Sequence, residues 1–198
     1  MSAYTVLAET GEALINVIWE TIQADPDLFA LINSKNLITL DPPKDDLQNN
    51  QTPLLSIYLY RIVEDAYMKN QWPVEGTGGR LRRPPLTLDL FYMITPLLKA
   101  PRDQQVVLGK IMQVLYDRPT LEGSELSGSL QSSGDRMRVV FNPVTLEEAA
   151  RVWQALETAY RLSACYMVRV AILDSTFQQL QQPVIERQSG YQKVEATS

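Results

Sequence analysis

Two stretches of the chain alternate apolar residues with a period of two, and the rest can be arranged around them. In residues 54–63, Leu55, Ile57 and Leu59 alternate with Leu54, Ser56, Tyr58 and Tyr60. In residues 86–95, Leu86, Leu88, Leu90, Tyr92 and Ile94 alternate with Thr87, Asp89, Phe91, Met93 and Thr95. Successive side chains of a strand point to opposite faces, so each stretch predicts a strand with one apolar face and one mixed face. Helices on the apolar side, with a partner or water on the other, would satisfy both faces. The two strands are expected to be neighbours at the centre of a sheet. The Gly-, Arg- and Pro-rich residues 76–85 lead into the second strand, and residues 76–79 read as a flexible hairpin tip. Residues 65–74 fit either a ragged strand end or a hairpin arm.

Helical periodicity appears in three places. In residues 4–23, Leu7, Leu14, Ile15, Ile18 and Ile22 fall near one face and Glu9, Glu12 and Glu20 fall away from it. Gly11 is expected to weaken that helix by roughly 1 kcal/mol relative to alanine. Asp25-Pro26 ends it, and Asp25 is placed to cap a short turn over residues 26–32. Residues 102–117 predict a second helix, with Val106, Val107, Ile111, Met112, Val114 and Leu115 on its apolar side and Arg118-Pro119 as its stop. Thr145 is an N-cap for a third helix running to about residue 158, with Glu147 and Glu148 near its positive end.

Shorter strands are expected at residues 36–40 and 136–141, the latter with Met137, Val139 and Phe141 on one face. A third long strand is expected over residues 163–173. Residues 44–52 read as a loop. Residues 121–135, rich in Ser and Gly, read as a mobile loop of marginal structure. After Asp174 the chain is polar and Gln-rich apart from Pro183-Val184-Ile185. These elements imply an α+β fold. It is a single domain with a mixed, mainly antiparallel sheet of about four to five strands and helices packed on it. The core spans residues 1–175, and residues 176–198 form an extended C-terminal arm.

Composition removes several kinds of chemistry. The 198 residues include no histidine, so a histidine-based triad or metal site is excluded. The lone Cys165 forms no intrachain disulfide and lies in an apolar strand, where a structural thiol is favoured over a nucleophile. The formal charge of −5 argues against nucleic acid as a partner. Arg80, Arg82 and Arg83 form the one tight basic cluster. Gly76-Thr77-Gly78-Gly79-Arg80 lacks the Gly-Lys-Ser/Thr ending of a phosphate loop and leads into a strand. Asp41, Asp45 and Asp46 lack the spacing of a calcium loop. No cofactor or metal is expected. No stretch reaches the roughly 18 apolar residues of a membrane span, and residues 1–14 do not read as a signal peptide. Asp89, mid-strand among leucines, is either a sheet acid paired with Arg169 or Arg61, or part of an intersubunit contact. The aromatic residues around it, Tyr58 and Tyr60 among them, fit an interface if they share its face.

The order of motifs carries a resemblance. PLLSIYLYRIVED is followed by RRPPLTLDLFYMITP and then by a helix ending GKIMQVLYDRPTLEG. Next come RMRVVFNPVTLEEAARVWQALETAYRLSACYMVRVAILDS and QQPVIERQSG. Over about residues 4–187 this resembles the cap, or tail-terminator, proteins of phage-tail-like contractile injection systems of the antifeeding-prophage and virulence-cassette type. The resemblance implies a non-enzymatic structural protein, a homo-hexamer closing the distal end of the inner tube and contractile sheath. Tube and sheath proteins would be its partners. It would assemble in the cytoplasm into a particle that is membrane-anchored or released. Some such caps carry a further C-terminal region that this sequence lacks. A terminator or head–tail connector of a contractile phage tail is the alternative role. The interface candidates are Arg80, Arg82, Arg83, Asp89, Tyr58, Tyr60, Val184 and Ile185, with Val184 and Ile185 on an arm suited to strand addition.

Overall fold

The computed structural model describes residues 4–43, 53–65, 74–76, 80–82, 84–126, 128–133, 136–173 and 178–180, with the backbone alone at 74–76, 80–82, 133, 170–173 and 178–180. The chain opens with helices α1 (Val6–Ala24) and α2 (Pro26–Leu31). Strands β1 (Ile38–Thr39), β2 (Leu55–Glu64), β3 (Val74–Gly76), β4 (Arg80–Arg82) and β5 (Leu86–Pro96) follow. Helix α3 (Pro101–Asp117), strand β6 (Thr120–Glu122), helix α4 (Gly128–Ser133) and strand β7 (Arg136–Phe141) come next. The last described elements are helix α5 (Leu146–Ala155) and strands β8 (Ala164–Leu173) and β9 (Gln178–Leu180).

The sheet runs β1-β2-β5-β8-β7-β6. Only β1 pairs in parallel, with β2; the other pairings are antiparallel. The two alternating segments are neighbours as expected, with Ile57 opposite Ile94. The α+β class and the mixed, mainly antiparallel sheet hold, with six strands in place of four to five. The additional strand is β6, three residues long and too short to show a period. Residues 36–40 contribute only Ile38–Thr39 to the sheet, because Lys35–Leu37 close into a 3₁₀ turn.

One face of the sheet is sealed by α1 and α3. Leu55, Ile57, Leu90, Tyr92, Ile94 and Val168 are buried there against Leu14, Val17, Ile18 and Ile22 of α1 and Val107, Ile111 and Leu115 of α3. Each fully buried aliphatic or aromatic side chain contributes on the order of 1.5–3 kcal/mol. The buried stripe of α3 is Val107, Leu108, Ile111 and Leu115, so Val106 and Met112 turn outward, contrary to the sequence reading. Gly11 has a packing role, since a Cβ there would lie 2.8 Å from Leu40 Cδ1.

Within residues 121–135, read as a loop in the sequence, the described residues 121–126 and 128–133 carry the end of β6, a 3₁₀ turn and α4. Leu121, Leu126 and Leu130 are buried in the main core. Glu9 on α1 supplies the rest of the explanation. Its Oε2 accepts from the Ser129 and Leu130 N–H groups at 3.1 and 3.2 Å and from the Ser129 hydroxyl at 2.6 Å, capping α4 from 120 residues away. Gly128 has φ +61°, and a Cβ there would sit 2.5 Å from Glu9 Oε1, so glycine is required on both counts. Burial pushes the Glu9 carboxyl up, but hydrogen bonds from Ser129, Thr5 and Leu130 outweigh it and hold it below its ordinary value.

The opposite face is covered in part by α5. Its start is the expected Thr145, whose hydroxyl accepts from Glu148 N–H at 3.2 Å while the Glu148 carboxylate accepts from Thr145 N–H at 2.9 Å. That reciprocal cap holds the Glu148 carboxyl below its usual range. The helix ends at Ala155, short of residue 158, and Glu157 then takes a left-handed conformation with φ 57°. Trp153 and Leu156 are buried with Met93 and Cys165 of the sheet.

A second, three-stranded sheet has the order β3-β4-β9. This repeats the order β2-β5-β8 of the central strands, because β3 follows β2, β4 precedes β5 and β9 follows β8. Gln178–Leu180, on the stretch expected to be an arm, therefore add a strand beside β4, with Arg80 opposite Leu180 and Arg82 opposite Gln178.

Candidate assembly surface

Asp89 and Arg169 face each other across β5 and β8, next to a register shift between Leu88 and Asp89. Arg169 Nε lies 3.4 Å from Asp89 Oδ1. The two atoms are buried and misaligned for a hydrogen bond, so the contact is a charge pairing and not a directed bond. Asp89 keeps only 13% of its side-chain exposure, and burial pushes its carboxyl up against the pull of Arg169. Of the two partners open to Asp89 in the sequence, Arg169 is the one beside it within the chain. On β7, Arg138 lies opposite Arg169, which extends the row of charged residues to a third strand.

Tyr58 and Tyr60 share the mixed face of β2 and pack beside Met93, Cys165 and Trp153, half-buried under α5. Tyr60 meets Phe91 edge-on at 6.3 Å between centroids, and Arg61 lies over the same ring at 5.1 Å. Burial, with the neighbouring Cys165 thiol adding to it, pushes the Tyr60 hydroxyl up to about 12. Burial also pushes the Cys165 thiol up. A thiol held protonated beneath a helix is a structural group, not a nucleophile. Tyr60, Phe91, Met93 and Cys165 line a cleft of about 380 Å³ between α5 and the sheet, with Arg61, Asn142, Glu148 and Arg151 at its polar edge.

The other candidates are dispersed. Arg80 and Arg82 occupy the two ends of β4, with Gly76 opposite Arg80 in a β-hairpin. The hairpin's tip, residues 77–79, lies outside the described residues. So do Arg83, Val184 and Ile185. Among the described residues, no group of three or more Cys, Asp or Glu is placed to hold a metal ion. No helix among them is long and apolar enough to cross a membrane.

One surface was not singled out in the sequence. Between the C-terminal half of α3 and strand β7 runs an apolar groove of about 870 Å³, lined by Met112, Leu115, Tyr116, Val139, Phe141 and Tyr166. Tyr116 is 85% exposed and Phe141 48% exposed. The Phe141 and Tyr166 rings meet edge-on at 5.5 Å, and burial pushes the Tyr166 hydroxyl up to about 12. Phe141 shares the alternation of Met137 and Val139, but it lies at the strand's end, where no helix covers it. The available signal was a pair of large residues, Met112 and Tyr116, one turn apart on the outward side of α3.

The chain matches, over residues 9–187, the family model described as the Pvc16 N-terminal domain. Among solved structures it is similar to the sheath/tube terminator of PVC, an extracellular contractile injection system, in the extended state. The TM-score is 0.52 and the identity 22%, covering 81% of this chain and 57% of that one. It is also similar to the tube-terminating cap of the anti-feeding prophage, with a TM-score of 0.47 and 22% identity over 69% of this chain and 48% of that one. The chain thus spans little more than half the length of the first of these proteins. No curated protein matches it.

Proposed function

The chain belongs to the Pvc16 N-terminal domain family, and from that premise we propose that it is a structural cap, closing the distal end of the inner tube and sheath of a contractile injection system. The observation that carries this reading is the family match over residues 9–187, joined to a fold like that of a sheath/tube terminator. Tube and sheath proteins are its partners in this proposal. Copies of the chain form a closed ring, a homo-hexamer, whose heterologous interface uses a different patch on each side of every subunit.

The side chains favour this role over catalysis. The thiol is buried and protonated, the mid-strand acid is paired within the sheet, and the chain has no histidine. A ring subunit needs a rigid sheet, lateral patches and an extended segment to share with neighbours. Residues 1–175 supply the first two in this reading and residues 176–198 the third. The candidates Arg80, Arg82, Arg83, Asp89, Tyr58 and Tyr60 are assigned to lateral or axial contacts. Assembly takes place in the cytoplasm before the particle is anchored or released.

Electron microscopy of particles made without this protein tests the proposal. Tubes and sheaths of uncontrolled length, restored to uniform length by the wild-type chain, are the expected result. Particles of normal length and normal ends in its absence would overturn it.

A further inference from the structure

We propose that the outward stripe of α3 is a surface for a second copy of the chain, and that two copies pair through antiparallel α3 helices crossing at Gly109. The inference stands apart from the cap role. A two-fold contact is isologous and closes at two chains, whereas the ring proposed above uses heterologous contacts.

Gly109 is the anomaly that points there. Glycine is the poorest helix former after proline, yet Gly109 stands in the middle of a seventeen-residue helix. A Cβ at Gly109 would meet nothing within 4 Å, whereas one at Gly11 would strike Leu40 and one at Gly128 would strike Glu9. Packing among the described residues therefore gives no reason for glycine at this position. Close approach of a second backbone does.

The stripe around Gly109 is exposed, and its pattern reads the same in both directions. It faces away from the buried Val107, Leu108, Ile111 and Leu115. Four and three positions before Gly109 stand Gln105 and Val106; three and four positions after it stand Met112 and Gln113. Arg102 lies seven positions before and Tyr116 seven after. Offsets of three, four and seven return to one face of a helix. All six flanking residues are exposed, Tyr116 to 85%, so the apolar members of the stripe lack cover within the chain.

A two-fold axis at Gly109 sets each flank against the opposite flank of the other copy. Gln105 and Val106 of one chain meet Met112 and Gln113 of the second. Apolar groups then bury one another and the amides meet. Arg102 comes beside Tyr116 of the second copy, with Asp117 next to it. Neither Arg102 nor Asp117 makes an ion pair with the described residues. Across the axis the guanidinium gains a ring and a carboxylate, and the contact forms twice. Parallel helices would instead set Arg102 against Arg102 and align the two helix dipoles.

With no side chain at the crossing, the axes can approach to about 8 Å. Helix α3 is about 25 Å long. One pair of such helices buries less than about 1,200 Å² in total, the size of a weak and reversible contact. A dissociation constant in the micromolar range is expected.

The first test is Gly109→Arg in the full-length chain. Arginine fits the open space and is the better helix former, so the melting temperature should hold or rise. The mass sedimenting in analytical ultracentrifugation at high micromolar concentration should fall by half. Equal masses for the two chains at every concentration would overturn the proposal, as would a wild-type chain that is always monomeric. Cysteine pairs under mild oxidation test the orientation, with the buried Cys165 left in place. Gly109→Cys should link to itself. Val106→Cys and Gln113→Cys, mixed, should link to each other faster than either links to itself. Self-linking of Val106→Cys at the faster rate would mean parallel helices and overturn the arrangement. None of these outcomes bears on the cap role, which particle length judges.

Discussion

On the sheet face turned toward α1 and α3, Leu55, Ile57, Leu90 and Val168 are wholly enclosed in one core with residues of both helices. On the face toward α5, the apolar cluster is smaller, Met93, Cys165, Trp153 and Leu156, while Arg61, Asp89 and Arg169 remain partly open around it. The same period-two strands supply both faces, so the difference comes from how much helix each receives. Nineteen- and seventeen-residue helices close one side, and a ten-residue helix closes part of the other. Stability is concentrated on the first face. The second combines a small apolar plug with charges that tolerate partial desolvation, as the margin of a protein contact does.

Substitutions can break or sharpen this contrast. Trp153→Ala removes the plug and should destabilise by about 4 kcal/mol in chemical denaturation; a loss under about 1 kcal/mol would mean that α5 contributes no core of its own. Leu90→Ala, on the sealed face, should lose about 3 kcal/mol. Glu9→Gln should lose about 1.5 kcal/mol by weakening the charge-assisted bonds to α4. Because the Glu9 carboxyl is held below its ordinary value of 4.5, its contribution is present above that pH and fades as pH falls through the lowered value. The gap between wild type and Glu9→Gln should therefore narrow on acidification. Thr145→Ala should lose about 1 kcal/mol through the reciprocal cap of α5. Tyr116→Ser, on neither face, should change stability by less than about 0.5 kcal/mol yet weaken self-association, which separates the groove from the core.

The long strands and the starts of α2 and α5 were legible because their causes are local. Ile57 and Leu90 declare a buried face by spacing alone, and Asp25 and Thr145 declare a helix start by side-chain chemistry. Residues 121–126 and 128–133 were read as loop because what fixes them lies elsewhere in the chain. Leu121, Leu126 and Leu130 are too widely spaced to make a pattern, and the cap of α4 is a glutamate on α1. The same reason hid the groove. Tyr116 and Phe141 are ordinary residues of a helix end and a strand end until the fold sets α3 beside β7. Asp89 was legible as an anomaly and its partner Arg169 as a possibility, and the cross-strand register chose between Arg169 and Arg61. Spacing placed Tyr58 and Tyr60 on one face of β2 but gave no sign of the helix that half-covers them.

The matching order of the two sheets has a mechanical consequence. Tension passed from β9 to β8 meets a strand paired with β5 from Ala164 to Leu173 and with β7 from Tyr166 to Arg169. To slide β8 lengthwise, many ladder bonds must fail at once, whereas peeling an outer strand ruptures them singly. A load along β8 is thus shared among those bonds instead of falling on one at a time.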